Sequence, residues 1–470
     1  MKVPAVALGL FASTFALRAG AADFYVDPAA GSSAGDGSQA KPWKTLQEVV
    51  AAGHFGKAIK AGDTVHLKSG IHGEMVVSGG TYSPPISVVA DSGQAPKLTR
   101  ARFSNTSGWL LRGASISPSH GSVSGSITIV EVQTSASNVT VESSDVFSVA
   151  NATSWGATEW LAAHSGISLR GAGSVARGNQ VRNVRFGITA DAAKVLVEGN
   201  TVNGFSADGL RGLGDDETFQ YNVIKNSYLD DSVDKNHDDG FQSWSVGSGG
   251  VGTGEVKNMT LRGNVFISHE NPAQALKGSM QGIGCFDGFF SGWVVENNVV
   301  ITDHWHGISL YGAKDSRVVN NTVIDTTPTT KPGPPWIMVT AHKNGSPSQN
   351  VVVRNNLAMD FDVKGTNVTQ DHNVTVTAAN LATFFVSPTA PKWDLHLLKA
   401  SPAVDQGVKD LAPALDADKI ARPQGAGFDL GAYEWHDGSV NPSGGSGGTG
   451  GSGGGAGGVA AGGGAGGVAG

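Results

Sequence analysis

The sequence predicts an all-β solenoid, a parallel β-helix, on three observations. First, seven asparagines each precede a short apolar strand: Asn179, Asn200, Asn222, Asn264, Asn298, Asn321 and Asn356. The cleanest steps between them are 21, 22 and 23 residues, and the 42-residue gap from Asn222 to Asn264 reads as two such steps. A period of this size is one turn of a coil of short strands. Second, six segments align on a glycine: SGISLRG, FGITAD, DGLRGLG, DGFQSWS, QGIGCFD and HGISLYG. Third, 67 glycines and only 16% charged residues suit tight coils with Ser, Thr and Asn surfaces. Such a coil cannot bury its apolar face alone and must stack on copies of itself, so residues one period apart come into contact.

The glycine alignment sets the faces. The residues after the glycines are Ile167, Ile188, Leu210, Phe241, Ile283 and Ile308, an unbroken apolar column assigned to the interior. The next residues are Ser168, Thr189, Arg211, Gln242, Gly284 and Ser309, which strand alternation aims outward. The asparagines are expected to stack their amides at a turn and satisfy backbone groups.

Taken in chain order, residues 1–22 read as an export signal, with Lys2, an apolar run from Val3 to Leu17 and Ala19-Gly20-Ala21 before a polar start. The run is too short to span a bilayer, and no other stretch reaches the required length. Residues 23–438 are assigned to the solenoid. Its first coil is expected to be closed by an amphipathic helix from Thr45 to Ala52, capped by Thr45 with Glu48 three residues on. AGDTVHLKSG begins the strands, residues 75–160 form irregular early coils, and regular coils run from about 165 to 360. From Ser439 to Gly470 the chain is Gly, Ser, Ala, Thr and Val in low-complexity repeats, a flexible linker or tail by composition. The expected location is outside the cell, with the tail as a candidate surface tether, and the expected state is a monomer.

A net charge of -7 argues against a nucleic-acid partner. It also gives no global attraction for an acidic polymer, which would need a local cation. The single cysteine, Cys285, excludes an internal disulfide and a thiolate metal cluster, and its place in the inner column marks it as an apolar filler.

The N-terminal YVD…GDGS…KPWKTLQEVV, the following AGDTVHLKSG, and SPAVDQGV…RPQGAGFDLGAYEW near the C-terminus resemble secreted right-handed parallel β-helix proteins of the pectin-lyase-like superfamily. The resemblance spans nearly all of residues 24–436 and implies a right-handed coil. It says little about activity, because that superfamily includes polysaccharide lyases, glycoside hydrolases, sugar epimerases and adhesive repeat proteins.

Polar residues that break the bland pattern cluster between 208 and 311. Asp208 and Asp239 each precede the strand glycine, with Asp238 alongside, and Gln281 and His306 continue that column. Coils about 4.8 Å apart would hold these carboxylates in one small volume. Like charges that close repel unless a cation binds or one takes a proton. The insertion between the Asp208 and Asp239 coils adds Asp215, Asp216, Asp230, Asp231 and Asp234, read singly as turn caps. Oxygen ligands in number suit Ca2+. Arg211, Lys277, His237 and the His304-Trp305-His306 run lie nearby. Trp244, Phe286 and Tyr311, four positions after the glycine, form an aromatic stripe suited either to sugar rings or to packing under loops. The expected binding positions are His237, Gln242, Trp244, Gln281, Trp305 and Tyr311.

Three readings compete. In the first, an acidic polysaccharide is cleaved by elimination, with Ca2+ on Asp208, Asp238 and Asp239 and with Lys277 or Arg211 taking the proton. The segments ADGLRG, NHDDGFQSW and QALKG are similar in order to the calcium aspartates and catalytic lysine of one pectate-lyase family with this fold, although Gln242 stands where that family has another aspartate. In the second, paired carboxylates hydrolyse the glycosidic bond. The order ADG, HDDG, HGISLYG looks like the polygalacturonase group, with His306 in place and an extra coil at Gln281 intervening. In the third, the solenoid binds or adheres without catalysis.

Overall fold

The computed structural model describes residues 20–123, 125–234, 238–327 and 331–438. The export signal up to residue 19, His237 and the Gly-rich tail lie outside the described residues. Among those described, short parallel strands wind into a three-faced β-helix. Face one is a 13-stranded sheet, and faces two and three are joined at their corners in a 21-stranded sheet.

Each regular coil repeats one unit. A face-one strand such as Leu196–Glu198 leads to the asparagine turn, a face-two strand such as Thr201–Phe205 follows, and a face-three strand such as Leu210–Gly212 completes the coil. The expected inner column is in register: Ile167, Ile188, Leu210, Phe241, Ile283 and Ile308 pair in succession and are buried. Face one contributes Val197, Phe219, Leu261 and Val295 to the same core, and face two contributes Val202, Ile224, Phe266 and Val300. Burying each such side chain stabilises the fold by about 1.5–3 kcal/mol.

The asparagine turn fixes the register. Asn200 Nδ2 donates to Asn222 Oδ1 at 3.0 Å, and Asn222 Nδ2 donates to Asn264 Oδ1 at 2.9 Å. The same contact runs from Asn179 to Asn356 and on to Asn373, an eighth rung. Each backbone N–H also donates to the next rung's amide oxygen, and each Nδ2 reaches a face-one carbonyl of the preceding coil, as Asn222 does to Val197. The residue before each rung has positive φ. Gly178, Gly199 and Gly263 adopt it freely at 61°, 63° and 60°, Asn297, Asn320 and Asn355 take it at 54–56°, and Tyr221 is held there at 55°.

One expectation is corrected here. The 42 residues from Asn222 to Asn264 are one coil, because those two amides bond directly. The added length leaves the coil in a segment that begins at Tyr228, a small hairpin (Val246–Gly247 with Gly250–Val251) and an outer strand, Glu255–Lys257. The helix Leu46–Ala51 covers the first coil with Leu46 and Val49 buried, and Thr45 Oγ1 accepts from the Glu48 N–H at 3.2 Å. At the other end the chain folds back. Helix Leu381–Phe384 and the strands Phe385–Ser387 and Asp394–Leu397 pack on outward Ile267, Val299, Ile301 and Ile324 of face two. No helix among the described residues is long and apolar enough to cross a membrane.

Replacing a central rung orphans buried groups on both neighbours. Asn222→Ala removes acceptors from the Asn200 N–H and amide and a donor from Val197 O, an expected loss of about 3 kcal/mol. Asn373→Ala, at the half-buried end of the ladder, should cost markedly less. Urea unfolding followed by circular dichroism checks the ranking, and equal losses would remove the ladder's role.

Candidate functional site

The corner into face three is tight. A Cβ on Gly282 would sit 2.2 Å from the Gly307 carbonyl oxygen, so the corner takes glycine and the preceding residues line up. These are Asp208, Asp239, Gln281 and His306, as expected, with Asp239 and Gln281 in register. The three aspartates do come together. Asp208 Oδ1 accepts from the Asp239 N–H at 3.0 Å, and Asp208 Oδ2 accepts from Arg211 Nε. Asp239 Oδ2 accepts from Gln242 Nε2 at 3.0 Å. Its other oxygen lies over the next coil's backbone, where a Cβ on Gly284 would come within 2.0 Å of it. Gly284 therefore makes room for Asp239.

The cluster is covered: Asp208, Asp238 and Asp239 are 1%, 3% and 0% exposed. Gln242 and Ser309, expected to face outward, are also buried: Gln242 donates to Asp239, and Ser309 meets the His306 and Trp336 side chains. Asp238 Oδ1 and Gln281 Oε1 are buried acceptors without a hydrogen-bond partner. Burial, then the charges of Asp208, Asp234 and Asp239, push the Asp238 carboxyl up to about 8, with Arg185 pulling the other way. Asp238 thus carries a proton at neutral pH and relieves the repulsion that the stacked carboxylates create.

Arg211 is the cation of this face. Its guanidinium lies over Phe186 at 4.0 Å and Trp244 at 5.1 Å, and its side chain is 19% exposed. Its Nε is paired with buried Asp208, which fixes the guanidinium on this face. The expected aromatic stripe is broken. A bulge between Ser243 and Trp244 pairs Trp244 with Asp287, so Trp244 stacks on Arg211, while buried Phe286 meets Tyr311 edge-on at 5.2 Å and His306 at 4.8 Å.

His304 and His306 stack at 5.3 Å beside Trp305, which is 42% exposed. The Trp336 indole N–H donates to His306 Nδ1 at 3.2 Å and to Ser309 Oγ at 3.3 Å. His306 Nδ1 also lies 2.8 Å from Ser309 Oγ, so the imidazole is held on its Nδ1 side by Ser309 and Trp336. Lys277 is exposed on the 270–279 loop, its ammonium donating to the Pro272 carbonyl. Its charge is felt at Asp303, which Asp231 also perturbs. The loop aspartates cap turns or pair as expected: Asp215 Oδ1 accepts from the Lys257 N–H, Asp216 from Asn258, and Asp234 pairs with Arg185.

Asp303, Asp325 and Trp336 join this face without having been read from the sequence. Asp303 had a signal, since it opens the Asp-His-Trp-His run. Asp325, raised to about 6 chiefly by burial, had none, because it follows an ordinary face-two strand. Among the described residues no three His, Cys, Asp or Glu side chains are arranged to hold a metal ion. Asp208 pairs with Arg211, and Asp239 accepts from Gln242.

Residues 165–345 match the family model described as "Right handed beta helix region". The coil is right-handed, as that family model describes. No curated protein matches the chain by sequence. Among solved structures, the chain is similar to a pectate lyase (15% identity, 89% of this chain and 97% of that one, TM-score 0.46). It is also similar to a rhamnogalacturonan lyase (14%, 83% and 97%, TM-score 0.45). A third is a mannuronan C-5 epimerase module from Azotobacter vinelandii (12%, 71% and 94%, TM-score 0.35).

Asp238 gives a test by stability. Its folded pKa lies above the ordinary 3.8, so the folded chain holds more protons between about pH 4 and about pH 8, and stability falls as pH rises through that window. Asp238→Asn should remove that part of the slope. At pH 3.5 the melting temperatures should nearly coincide, and at pH 9 the variant should melt several degrees higher. A variant that tracks the wild type at both pH values would place the proton elsewhere.

Proposed function

We propose that this protein cleaves a uronic-acid polysaccharide by elimination, the chain lying across the outer wall of the Asp208, Asp239, Gln281 and His306 coils. The observation that carries this is Arg211, a cation held from behind by buried Asp208 and flanked by two aromatic rings. Elimination begins with loss of the weakly acidic proton next to the uronate carboxyl. That step becomes accessible when the carboxylate charge is neutralised as the carbanion forms. A guanidinium matches a carboxylate in shape and charge. In this reading Lys277 in its neutral form takes the proton, the electron pair becomes the ring double bond, and the glycosidic oxygen leaves with its bonding pair and a proton from water. Trp305 and Tyr311 offer flat surfaces to the sugar rings, and His306 supplies a polar contact. The acidic substrate and export from the cell belong to the same reading.

One observation favours hydrolysis as a second reading. Asp238, pushed up to about 8 chiefly by burial, lies beside Asp208, which is paired with Arg211, and an acid next to a carboxylate is the pairing that glycoside hydrolysis uses.

Incubation with pectate, alginate and a neutral glucan, with and without a chelator, separates the readings. Elimination gives the ultraviolet absorbance of unsaturated uronates, and with Arg211 as the neutralising charge it should survive chelation. Reducing ends without that absorbance would mean hydrolysis, and neither would leave a binding protein. Lys277→Ala should lower turnover on the order of 10²–10⁴-fold with the melting temperature unchanged. Arg211→Lys should also lose most turnover, because a lysine cannot reproduce the planar fork. An active Lys277→Ala variant would move the base to another residue.

A further inference from the structure

A second cavity, of about 530 Å³, opens on face two, away from the carboxylate trio. Its aromatic wall is Trp155, Trp160 and Tyr228, with Trp160 stacked on Tyr228 at 4.3 Å and Trp155 set edge-on to Trp160 at 4.9 Å. Its polar wall is Asn183, Asn226 and Glu270. These are rigidly placed: Glu270 accepts from Lys225 at 3.1 Å and from Asn226 at 3.0 Å, and Asn183 donates to the Val149 carbonyl at 2.9 Å. The volume falls within the range of small-molecule sites and exceeds what one sugar ring needs. Flat apolar surface beside amide and carboxylate groups is the chemistry that recognises a pyranose, whose ring faces are apolar and whose rim is hydroxyl.

The charge of the cavity narrows the ligand. Among the described residues Glu270 is the one carboxylate on its wall, and the neighbouring Lys225 ammonium is bound to it. A uronate would meet a like charge here, whereas an uncharged sugar can hydrogen-bond to the same carboxylate. The position is also informative. Tyr228 begins the loop that leads to Asp238, and Gln274 and Ala275, also on the wall, lie on the loop that carries Lys277. The two loops meet where Leu229 bridges Lys277.

We propose that this cavity binds an uncharged pyranose unit of the polysaccharide, so that the substrate is a heteropolymer or a branched chain carrying neutral sugars beside its uronic acids. The inference rests on the reading above only for the source of the sugar. The cavity holds the neutral unit while the acidic one lies toward Arg211, and the two loops keep the sites at a fixed separation.

Isothermal titration of the full chain with galacto-, manno- and xylotetraose, and with tetragalacturonate, tests it. None of the neutral tetramers can undergo elimination, so turnover does not interfere. At least one neutral tetramer should bind. Trp155→Ala should weaken that binding at least tenfold, and so should Ala273→Trp, which fills the mouth from an exposed rim position without removing a wall residue. Arg211→Ala should leave it unchanged. No neutral tetramer binding, equal binding by both cavity variants, or loss in Arg211→Ala would overturn the proposal. Neutral binding by a chain that eliminates nothing would remove the lyase reading and keep this one; elimination without neutral binding would do the reverse.

Discussion

The amide-to-amide contact between successive rungs sets everything else in this molecule. Each asparagine accepts from the backbone and side chain of one neighbour and donates into the face-one strand of the coil before, so a coil cannot slip without orphaning several buried groups at once. The rung holds even where a coil carries a long insertion, because the extra residues leave the ladder as loops and rejoin it in register. Extra length is therefore tolerated wherever both ends of the insertion return to the ladder, and the site is built at those places.

Stacking in register also creates the chemical problem that the site solves. Placing Asp208 beneath Asp239, with Asp238 alongside, concentrates negative charge in a covered volume. The protein offsets it in three ways: Arg211 on Asp208, Gln242 on Asp239, and a proton on Asp238. A buried ion pair of this kind is weak evidence for stability. Its consequence here is positional, since Asp208 fixes the guanidinium against Phe186 and Trp244 with the side chain 19% exposed. The aspartates act from behind, and the groups that can touch a ligand are Arg211, Lys277, Trp305, Tyr311 and His306.

What repeats at a fixed period was legible from residues alone. The rungs, the inner column, the aspartate ladder and the burial of Cys285 follow from spacing and alternation, which do not depend on distant partners. The rest depends on where insertions go. The 42-residue step hid a single coil, the bulge at Trp244 broke an aromatic stripe that counting from the glycine had made continuous, and Arg211 could not be matched to Asp208 before the corner geometry was known. The apolar outer side of face two at Val299, Ile301 and Ile324 likewise looked like core sequence. It is covered by a segment about 80 residues further on, and no local pattern announces that packing.

The account centres on Arg211 as the cation that meets the polymer. A crystal structure of the Lys277→Ala variant soaked with a uronate hexasaccharide tests this most directly. The expected result is a sugar carboxylate on the Arg211 guanidinium, with the oligosaccharide crossing the Asp208, Asp239, Gln281 and His306 coils. An oligosaccharide bound elsewhere on the solenoid, or one crossing these coils with its carboxylates turned away from Arg211, would contradict it.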